Sequence, residues 1–486
     1  MAAATMAPSS SHPTVAVLFL LAAATLAFHF SVVVAVDPKC QCQGANGCRG
    51  LGINYGTLGD DLPSASRSVQ LLRAAGAGAL KIYDANADIL RALAGTGIPV
   101  SVMVPNEAIP SLASSRAAAD DWVAGNLAPH VPATRVVHLL VGNEVLSNRA
   151  LAGSTWRGIV PAMGNLHRAL RARGIHKVKL GTTLAMDALS ASYPPSAGAF
   201  RGDIAESVVR PLLRFLNATR SSYFVDAYPY FAWAASRGAI SRDYALFQGA
   251  PSSRYVDPGT GLTYTNLLDQ MLDAVVAAMG RLGYGGVKLA VAETGWPSGG
   301  DAGEEAGANV RNAATYNRNL AARMSKNPGT PARPKAKIPM FLFSLYNEDQ
   351  KPGAGTERHW GLYYPNETKV YEVDLTGQRS YPPAGDTDDS TPAWCVLAGG
   401  GKAANETAAA AALEYACRQG SGTCDAIQPG GACHEPDALD AHASYAFNAY
   451  WQQFRTAGGT CFFNGLAETT TKDPSHGSCK FASSLD

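Results

Sequence analysis

Three glutamates of this 486-residue sequence directly follow apolar stretches, and two of them come straight after an asparagine. Glu144 follows Asn143, Glu348 follows Asn347, and Glu293 ends a third apolar stretch. Two carboxyl groups across a pocket can hydrolyse a glycosidic bond, because one protonates the leaving oxygen and the other acts on the anomeric carbon. A single glutamate in such a position is more often an ordinary loop residue, so the recurrence of the pattern is what favours a site.

Aromatic residues stand in equivalent positions along the chain. One apolar stretch ends in Tyr83 and Asp84, and another leads through Asp226 into Tyr228 and Phe231. Sugar rings present apolar C–H faces that a flat aromatic ring can cover while the hydroxyl groups stay free to hydrogen-bond. Carboxylates together with aromatic rings therefore indicate a carbohydrate site.

Eight short apolar stretches, separated by segments with a helical pattern, must position these residues. Several are continuously apolar, as buried parallel strands are. Eight β/α units over residues 51–375 predict an α/β fold, a (β/α)8 TIM barrel, in which chemistry sits at the carboxyl ends of the strands. An open doubly wound sheet is the rival, but no Gly-rich nucleotide turn follows the first stretch. The predicted strands are Leu51–Tyr55, Ala79–Tyr83, Pro99–Val104, Val136–Val141, Lys177–Thr182, Phe224–Tyr228, Val287–Ala292 and Ile338–Leu345.

The composition argues against several other classes of function. The 40 Lys and Arg nearly cancel the 39 Asp and Glu, so nothing favours binding to nucleic acid or to an anionic membrane. The ten histidines include no His-x-x-x-His pair, so a zinc site is not expected. Neither a phosphate-binding loop nor a Gly-x-Ser-x-Gly motif is present. We predict no metal and no cofactor.

The nine cysteines divide the chain, because three lie within residues 40–48, six lie beyond residue 394, and none lies between. This pattern predicts a self-sufficient domain at 51–375, a polar linker at 376–392 and a small disulfide-stapled, mainly helical module at 393–486. Six cysteines allow fifteen pairings, and the residues alone do not choose among them. Residues 445–454 predict a helix whose aromatic stripe faces the core of the module, in preference to a sugar platform.

Residues 1–35 predict a secretory signal peptide, because residues 15–35 are almost wholly apolar and end in small residues. An uncleaved membrane anchor is the alternative, since the stretch is long enough to span a bilayer. We expect a cysteine-containing leader at 36–50 and secretion to the apoplast or cell wall, or to the vacuole, without stable membrane insertion. No apolar tail ends the sequence, so no glycolipid anchor is expected. Three glycosylation sequons agree with secretion, at Asn217, Asn366 and Asn405.

Five motifs follow one another along residues 51–375. They are Gly52–Gly56, Val141–Val145, Tyr228–Phe231, Glu293–Ser298, and Asn347-Glu348 with Lys351, Glu357 and Trp360–Leu362. In this order they resemble the plant β-1,3-glucanases of glycoside hydrolase family 17. The resemblance implies a retaining endo-hydrolase that cuts β-1,3-glucan, such as callose or fungal wall glucan, by double displacement. We expect the polysaccharide as its partner and a monomeric protein.

The family's functional residues carry over onto matching positions. By this resemblance Glu144 is the general acid/base, Glu293 is the nucleophile, and Asn143 binds the sugar 2-hydroxyl. Tyr83 and Tyr228 match residues of the subsites beside the cleaved bond. All the matched catalytic residues are present, which disfavours a glucan-binding wall protein that no longer cuts. A transglycosylase that uses the same intermediate stays open.

A charged cluster is also implied beside the cleft. Glu348, Lys351 and Glu357 match it, and Lys351 is expected to hold the neighbouring carboxylates ionised and oriented. Trp296 either belongs to the substrate-binding wall or packs beneath it.

The sequence departs from the family at a few positions. Asp226 stands where the family usually has Asn, and an extra carboxylate there is expected to raise the pKa of a neighbouring acid or to alter a subsite contact. Asp61 likewise stands where Asn commonly precedes Leu-Pro. Cys40, Cys42 and Cys48 cannot all pair internally, so a free or intermolecular thiol is expected unless the leader is trimmed.

Motifs of the C-terminal module lead to a second resemblance. They are Trp394-Cys395-Val396, Ala416-Cys417, Ile427–Gly430, Cys433, His442–Asn448 and Asp473–Ser475. They resemble carbohydrate-binding module family 43, which implies binding to β-1,3-glucan and so a raised effective substrate concentration at the cleft. The disulfides implied by this resemblance are Cys395 with Cys461, Cys417 with Cys424, and Cys433 with Cys479.

Overall fold

A computed structural model of the chain describes residues 50–301, 307–381, 393–401, 403, 405–420, 422–455, 461 and 463–483. The predicted signal peptide, the three cysteines of the leader and most of the predicted linker lie outside these residues. Among the helices that are described, none is both long enough and apolar enough to cross a bilayer.

Eight parallel strands close into a barrel, which confirms the predicted (β/α)8 architecture, so the doubly wound alternative is wrong. The strands are β1 (Gly52–Tyr55), β2 (Ala79–Ile82), β3 (Val100–Val104), β4 (Val136–Asn143), β5 (Lys179–Ala185), β6 (Leu189–Ala191), β7 (Ala199–Phe200), β8 (Ser222–Asp226), β9 (Tyr255–Val256), β10 (Thr263–Tyr264), β11 (Lys288–Thr294), β12 (Met340–Leu342), β13 (Trp394–Leu397) and β14 (Ala467–Thr470). The barrel order is β1-β12-β11-β8-β5-β4-β3-β2, and the remaining strands form three antiparallel pairs. Each predicted strand thus corresponds to one barrel strand.

The helices of the barrel cover its outer face. The first shows how the sequence sets their limits, because the Ser64 side chain accepts a hydrogen bond from the backbone N–H of Arg67 and Gly76 follows the last turn with φ of 74°. Val69 and Leu72 of this helix are buried. The helices of the barrel domain are α1 (Ala65–Ala74), α2 (Ala87–Ala92), α3 (Ile109–Ser114), α4 (Arg116–Asn126), α5 (Ile159–Ala172), α6 (Gly202–Ile204), α7 (Arg210–Thr219), α8 (Pro229–Ala235), α9 (Arg242–Ala245), α10 (Leu267–Arg281) and α11 (Val310–Lys326). Those of the C-terminal module are α12 (Ala398–Gly401), α13 (Glu406–Gln419) and α14 (Leu439–Phe454).

The described residues of the barrel domain form two apolar cores. The larger one packs the helices against the outside of the sheet. The smaller one consists of inward-facing strand residues, namely Met103, Leu140, Phe224, Ala290 and Ala292. Because side chains fill the inside of the barrel, the space for a ligand lies at the rim, where the carboxyl ends of the strands meet.

The C-terminal module has its own core and three disulfides. Its helices α13 and α14 pack together, and β13 pairs with β14. The bridges join Cys395 with Cys461, Cys417 with Cys424, and Cys433 with Cys479, which confirms the pairing implied by the family 43 resemblance. Phe447, Tyr450 and Trp451 are buried in this core. The aromatic stripe of α14 therefore faces inward, and the sugar-platform alternative is wrong.

Candidate active site

A cleft of about 580 Å³ opens at the carboxyl ends of the barrel strands. Its acidic lining residues are Glu144, Asp187, Asp226, Glu293 and Glu357. Its aromatic lining residues are Tyr83, Tyr228, Phe231, Phe343 and Trp360. The structure thus brings together carboxylates and rings that lie far apart in the sequence, as the predicted barrel requires.

Glu293, at the end of β11, is surrounded by donors. Lys81 Nζ and the Tyr83 hydroxyl both donate to Oε1 at 2.6 Å, and the Tyr228 hydroxyl donates to Oε2 at 2.7 Å. Burial of the carboxyl would raise its pKa, but the charge and hydrogen bond of Lys81 and the two tyrosine donors outweigh it and lower the pKa of Glu293. Glu293 is therefore an anion in a buried setting. Tyr83 and Tyr228, predicted as subsite residues, also hold this carboxylate.

Glu144 projects from a tight turn after β4. Gly142 has φ of 81°, and a Cβ added there would lie 2.5 Å from a methyl group of Val145. Glu144 itself has φ of 48°, in the left-handed region that residues other than glycine seldom occupy. Its backbone N–H donates to the carbonyl of Thr183 at 3.1 Å. Such local strain is typical of residues whose direction matters for function.

The pKa of Glu144 shifts in the opposite direction from that of Glu293. Burial, reinforced by the negative charge of Glu293, raises it to about 7, although Lys81 opposes the shift. One carboxyl of the cleft thus retains a proton at a pH at which the other is ionised. Two carboxyl groups with pKa values pushed apart are the arrangement that acid/base catalysis needs.

Asn143 precedes Glu144 and is fixed from two sides. Its backbone exchanges two hydrogen bonds with the side chain of Asn106, at 2.8 and 3.0 Å. The Thr183 hydroxyl donates to its Oδ1 at 2.8 Å. Because Oδ1 accepts this hydrogen bond, the Nδ2 group is the part of Asn143 that could donate to a ligand. The contact with a sugar hydroxyl stays a prediction.

The predicted charged cluster is divided between the cleft and its surroundings. Lys351 and Glu357 line the cleft, and the Lys351 ammonium lies 4.0 Å from the centre of the Phe343 ring. Glu348 is buried, and its Oε1 accepts from the N–H of Leu58 at 2.8 Å. Burial, reinforced by the charge of Glu293, raises the pKa of Glu348, whereas Lys351 and the N–H of Leu58 lower it. Lys351 thus favours the ionised form of this carboxylate, as expected, but does not outweigh burial.

Trp296 packs beneath the wall of the cleft. Its side chain is fully buried, and its indole N–H donates to the carbonyl of Gly307 at 2.7 Å. Its ring packs against Tyr230 and Tyr316, at centroid distances of 5.2 and 5.8 Å. Of its two possible placements, the structure adopts the one without a substrate contact, which corrects the inclusion of Trp296 among the substrate-binding residues.

Sequence reasoning missed several side chains of the site. Lys81 is fully buried and Phe343 and Trp360 line the cleft, but no role was assigned to any of them. A signal for Lys81 was present, because a lysine within an apolar strand is seldom buried without a partner. Trp360 belongs to the fifth motif, which was its signal, whereas Phe343 carries none, since an aromatic residue in an apolar segment is usually core.

Two groups of side chains among the described residues could offer three ligand atoms to a metal ion. One is His434, Asp437 and His442 in the module, and the other is the exposed triad Asp60, Asp61 and Asp349. Neither group contributes to the lining of the cleft.

Comparison with known proteins agrees with this geometry. The family model for glycosyl hydrolases family 17 matches residues 51–375. The chain belongs to this family. The X8 domain model matches residues 393–468 of the same hydrolase, which supports the family 43 resemblance of its C-terminal module.

Relatives of this family 17 hydrolase share both parts of the chain. A probable glucan endo-1,3-beta-glucosidase A6 from Arabidopsis thaliana is 48% identical over 442 residues, which span 89% of this chain and 91% of that protein. A glucan endo-1,3-beta-D-glucosidase from Olea europaea is 37% identical over 446 residues, or 90% and 94% of the two chains. Among solved structures, CJP38, a β-1,3-glucanase and allergen of Cryptomeria japonica pollen, is 39% identical, with a TM-score of 0.63 over 67% of this chain and 99% of that one.

Proposed function

We propose that this family 17 hydrolase cleaves internal bonds of β-1,3-glucan by double displacement, with Glu293 as the nucleophile and Glu144 as the acid/base. The contrast between these two carboxyl groups carries the proposal. Lys81 and two tyrosine hydroxyls hold Glu293 as an anion, whereas burial beside that anion keeps a proton on Glu144. The relatives named as endo-1,3-β-glucosidases supply the substrate class.

In the first step Glu144 gives its proton to the glycosidic oxygen as the bond between that oxygen and the anomeric carbon breaks. Glu293 attacks the anomeric carbon and forms a glycosyl-enzyme ester, while the leaving sugar departs as a neutral alcohol. Oε2 is the better attacking atom, because within the described part of the chain it accepts one hydrogen bond and Oε1 accepts two. In the second step Glu144 takes a proton from water, and the resulting hydroxide equivalent releases Glu293.

The remaining lining residues bind the sugar units. Phe231, Phe343 and Trp360 supply apolar faces for pyranose rings. Asn143 donates through Nδ2 to a hydroxyl of the unit that reacts, and Lys351 and Glu357 offer a charged donor and acceptor at another edge. Rings with a few polar groups between them are what a polysaccharide cleft requires.

The C-terminal module binds the same polymer in this proposal. When the module is bound, it keeps the barrel near the insoluble glucan, so binding of the cleft to the same polymer becomes an intramolecular event. Its buried aromatic stripe stabilises the fold of the module, and the glucan contacts come from its polar surface.

The whole protein is a secreted, glycosylated monomer that works in the apoplast or cell wall. Asn217, Asn366 and Asn405 are exposed, as glycan attachment requires. Three disulfides in one small module fit an oxidising compartment. The predicted signal peptide supplies the route.

A comparison of Glu293→Gln and Glu144→Gln with wild type on a linear β-1,3-glucan tests the assignment. We expect the release of reducing ends to fall by roughly a thousandfold or more for Glu293→Gln. Exposed Glu206 forms an ion pair with Arg210 outside the cleft, so Glu206→Gln is the matched control. Undiminished turnover by Glu293→Gln would refute the nucleophile assignment.

Product analysis separates the mechanisms. With azide present, Glu144→Ala should yield the β-glycosyl azide, because azide attacks the glycosyl-enzyme, and Glu293→Ala should yield the α-azide. The chain lengths of the wild-type products distinguish hydrolysis from transfer to a second glucan. Binding to glucan with no release of reducing ends would favour a non-catalytic protein.

A further inference from the structure

The Asp226 carboxyl belongs to the cleft, but the mechanism above does not use it. Asp226 ends β8 and is the register partner of Glu293 on β11. Neighbouring strands lie about 4.8 Å apart, so the two residues are adjacent. Both side chains line the same cleft.

Among the described residues, none donates a hydrogen bond within bonding distance to this carboxyl. Asp226 is 2% exposed, and neither of its oxygens is hydrogen-bonded within the described part of the chain. The Thr183 hydroxyl on β5 is near enough to lower the pKa of Asp226, but it donates to Asn143 Oδ1 at 2.8 Å. Buried polar groups are nearly always paired, and an exception at the wall of a ligand cleft indicates a partner that the ligand brings.

The charges around Asp226 favour its protonated form. The cation that faces it, Lys81, already forms the ion pair with Glu293 at 2.6 Å. The acidic groups that face it are Glu293 and Glu144, and the phenols of Tyr83, Tyr223 and Tyr228 also interact with it. Burial and these carboxylates raise the pKa of Asp226 well above its ordinary value, against the opposing effects of Lys81 and the Thr183 hydroxyl.

We propose that Asp226 is a specificity-determining residue that binds one glucosyl unit as a neutral carboxylic acid, donating a hydrogen bond through its hydroxyl and accepting one through its carbonyl. The proposal rests on the proposed function, because it places that unit against Glu293. A sugar hydroxyl both donates and accepts, so it can satisfy both halves of the acid. A carboxylate could only accept.

Neutrality of Asp226 also serves the reaction centre. An anion beside Glu293 would compete with it for Lys81 and for the developing positive charge at the anomeric carbon. A neutral acid leaves the nucleophile as the anion nearest to that carbon. Asp226 thus adds a polar contact without a second charge.

The test compares Asp226→Ala and Asp226→Asn in the full chain. Both are made with Glu144→Gln, which slows turnover and leaves the Lys81 and Glu293 pair intact. The affinity for a linear β-1,3-linked gluco-oligosaccharide is measured by calorimetry at mildly acidic pH. We expect Asp226→Ala to weaken binding about tenfold, since a buried hydrogen-bonding group is lost. Asp226→Asn should retain most of the affinity, because the amide also donates and accepts hydrogen bonds.

An infrared difference spectrum of wild type minus Asp226→Asn supplies a readout that does not depend on the fold of the Ala variant. It should contain the carbonyl stretch of a protonated carboxylic acid at neutral pH. The proposal would be overturned if the Asp226→Ala variant bound the oligosaccharide as tightly as the parent that retains Asp226. It would also be overturned if the spectrum showed a carboxylate and the Asp226→Asn variant bound weakly. Full turnover by the Glu144→Gln parent would count against Glu144 as the catalytic acid but not against the role of Asp226, since the infrared readout does not involve Glu144.

Discussion

Lys81 Nζ lies 2.6 Å from Glu293 Oε1, and the lysine side chain has no exposed surface. The two residues come from β2 and β11 and are 212 positions apart. An ammonium this deep in a barrel is stable only with a partner, and a carboxylate beside it stays ionised for the same reason. The pair therefore links the stability of the barrel to the state of the nucleophile.

Removal of the cation tests this link. Lys81→Met should lower the free energy of unfolding by about 3–5 kcal/mol, because it leaves Glu293 buried and uncompensated. The acid limb of the kcat/KM profile should move to higher pH, since the pKa of Glu293 rises without Lys81. Chemical denaturation and a pH series measure the two effects.

Two further variants complete that experiment. Lys288 lies at the exposed start of β11, so Lys288→Met is the matched control and should change little. The double variant Lys81→Met with Glu293→Gln should regain part of the lost stability, because the unpaired charge is gone. Additive losses in the double variant would mean that the two side chains do not act as a pair.

The basic limb of the activity profile should report Glu144. Catalysis needs this carboxyl protonated, so kcat/KM should fall as the pH rises through about 7, the pKa of Glu144. An aryl glycoside with a good leaving group does not need the proton from Glu144. With this substrate, the basic limb should therefore be absent from the pH profile of the first step. A limb that persists with such a substrate would assign it to another group.

Asp226 predicts an unusual dependence of stability on pH. Its pKa is raised in the folded protein, so from about pH 4 upward the unfolded chain releases a proton that the native protein keeps. This group therefore contributes stability that wild type loses as the pH rises toward the raised pKa, and Asp226→Asn lacks that contribution. The difference in unfolding free energy, Asn variant minus wild type, should grow between acidic and neutral pH. Exposed Asp121, changed to Asn, should give a flat difference.

The disulfides of the module should differ in their contribution. The bridge between Cys433 and Cys479 spans 46 positions, and that between Cys417 and Cys424 spans 7. In the chain-entropy model their removal by paired serine substitution costs about 4 and about 2 kcal/mol respectively. Thermal unfolding of the two variants, monitored through the module's aromatic residues, shows which bridge contributes more stability. An equal or reversed order would show that native-state contacts outweigh loop entropy.

The barrel and its two glutamates could be predicted because their signals are local. Each strand is an apolar stretch, Glu144 directly follows β4, and Glu293 lies at the end of β11. The role of Lys81 could not be read in the same way, because it depends on Glu293 on another strand. Trp296 stands three positions after Glu293, but whether it faces sugar or core is decided by Tyr230, Tyr316 and Gly307. Protonation of Asp226 likewise depends on which charges the closed barrel places around it.

The rings behind the cleft form a continuous layer. Trp360 in the wall of the cleft contacts Tyr230, which contacts Trp296, and Trp296 contacts Tyr316. The hydroxyl of Tyr316 is 2.6 Å from that of Thr294, the neighbour of Glu293 in the chain. We expect a change of ring size in this layer to shift the position of the Glu293 carboxylate. Efforts to re-engineer the preference for glucan chain length should therefore leave the layer intact and vary the cleft-lining residues Met186 and Met271.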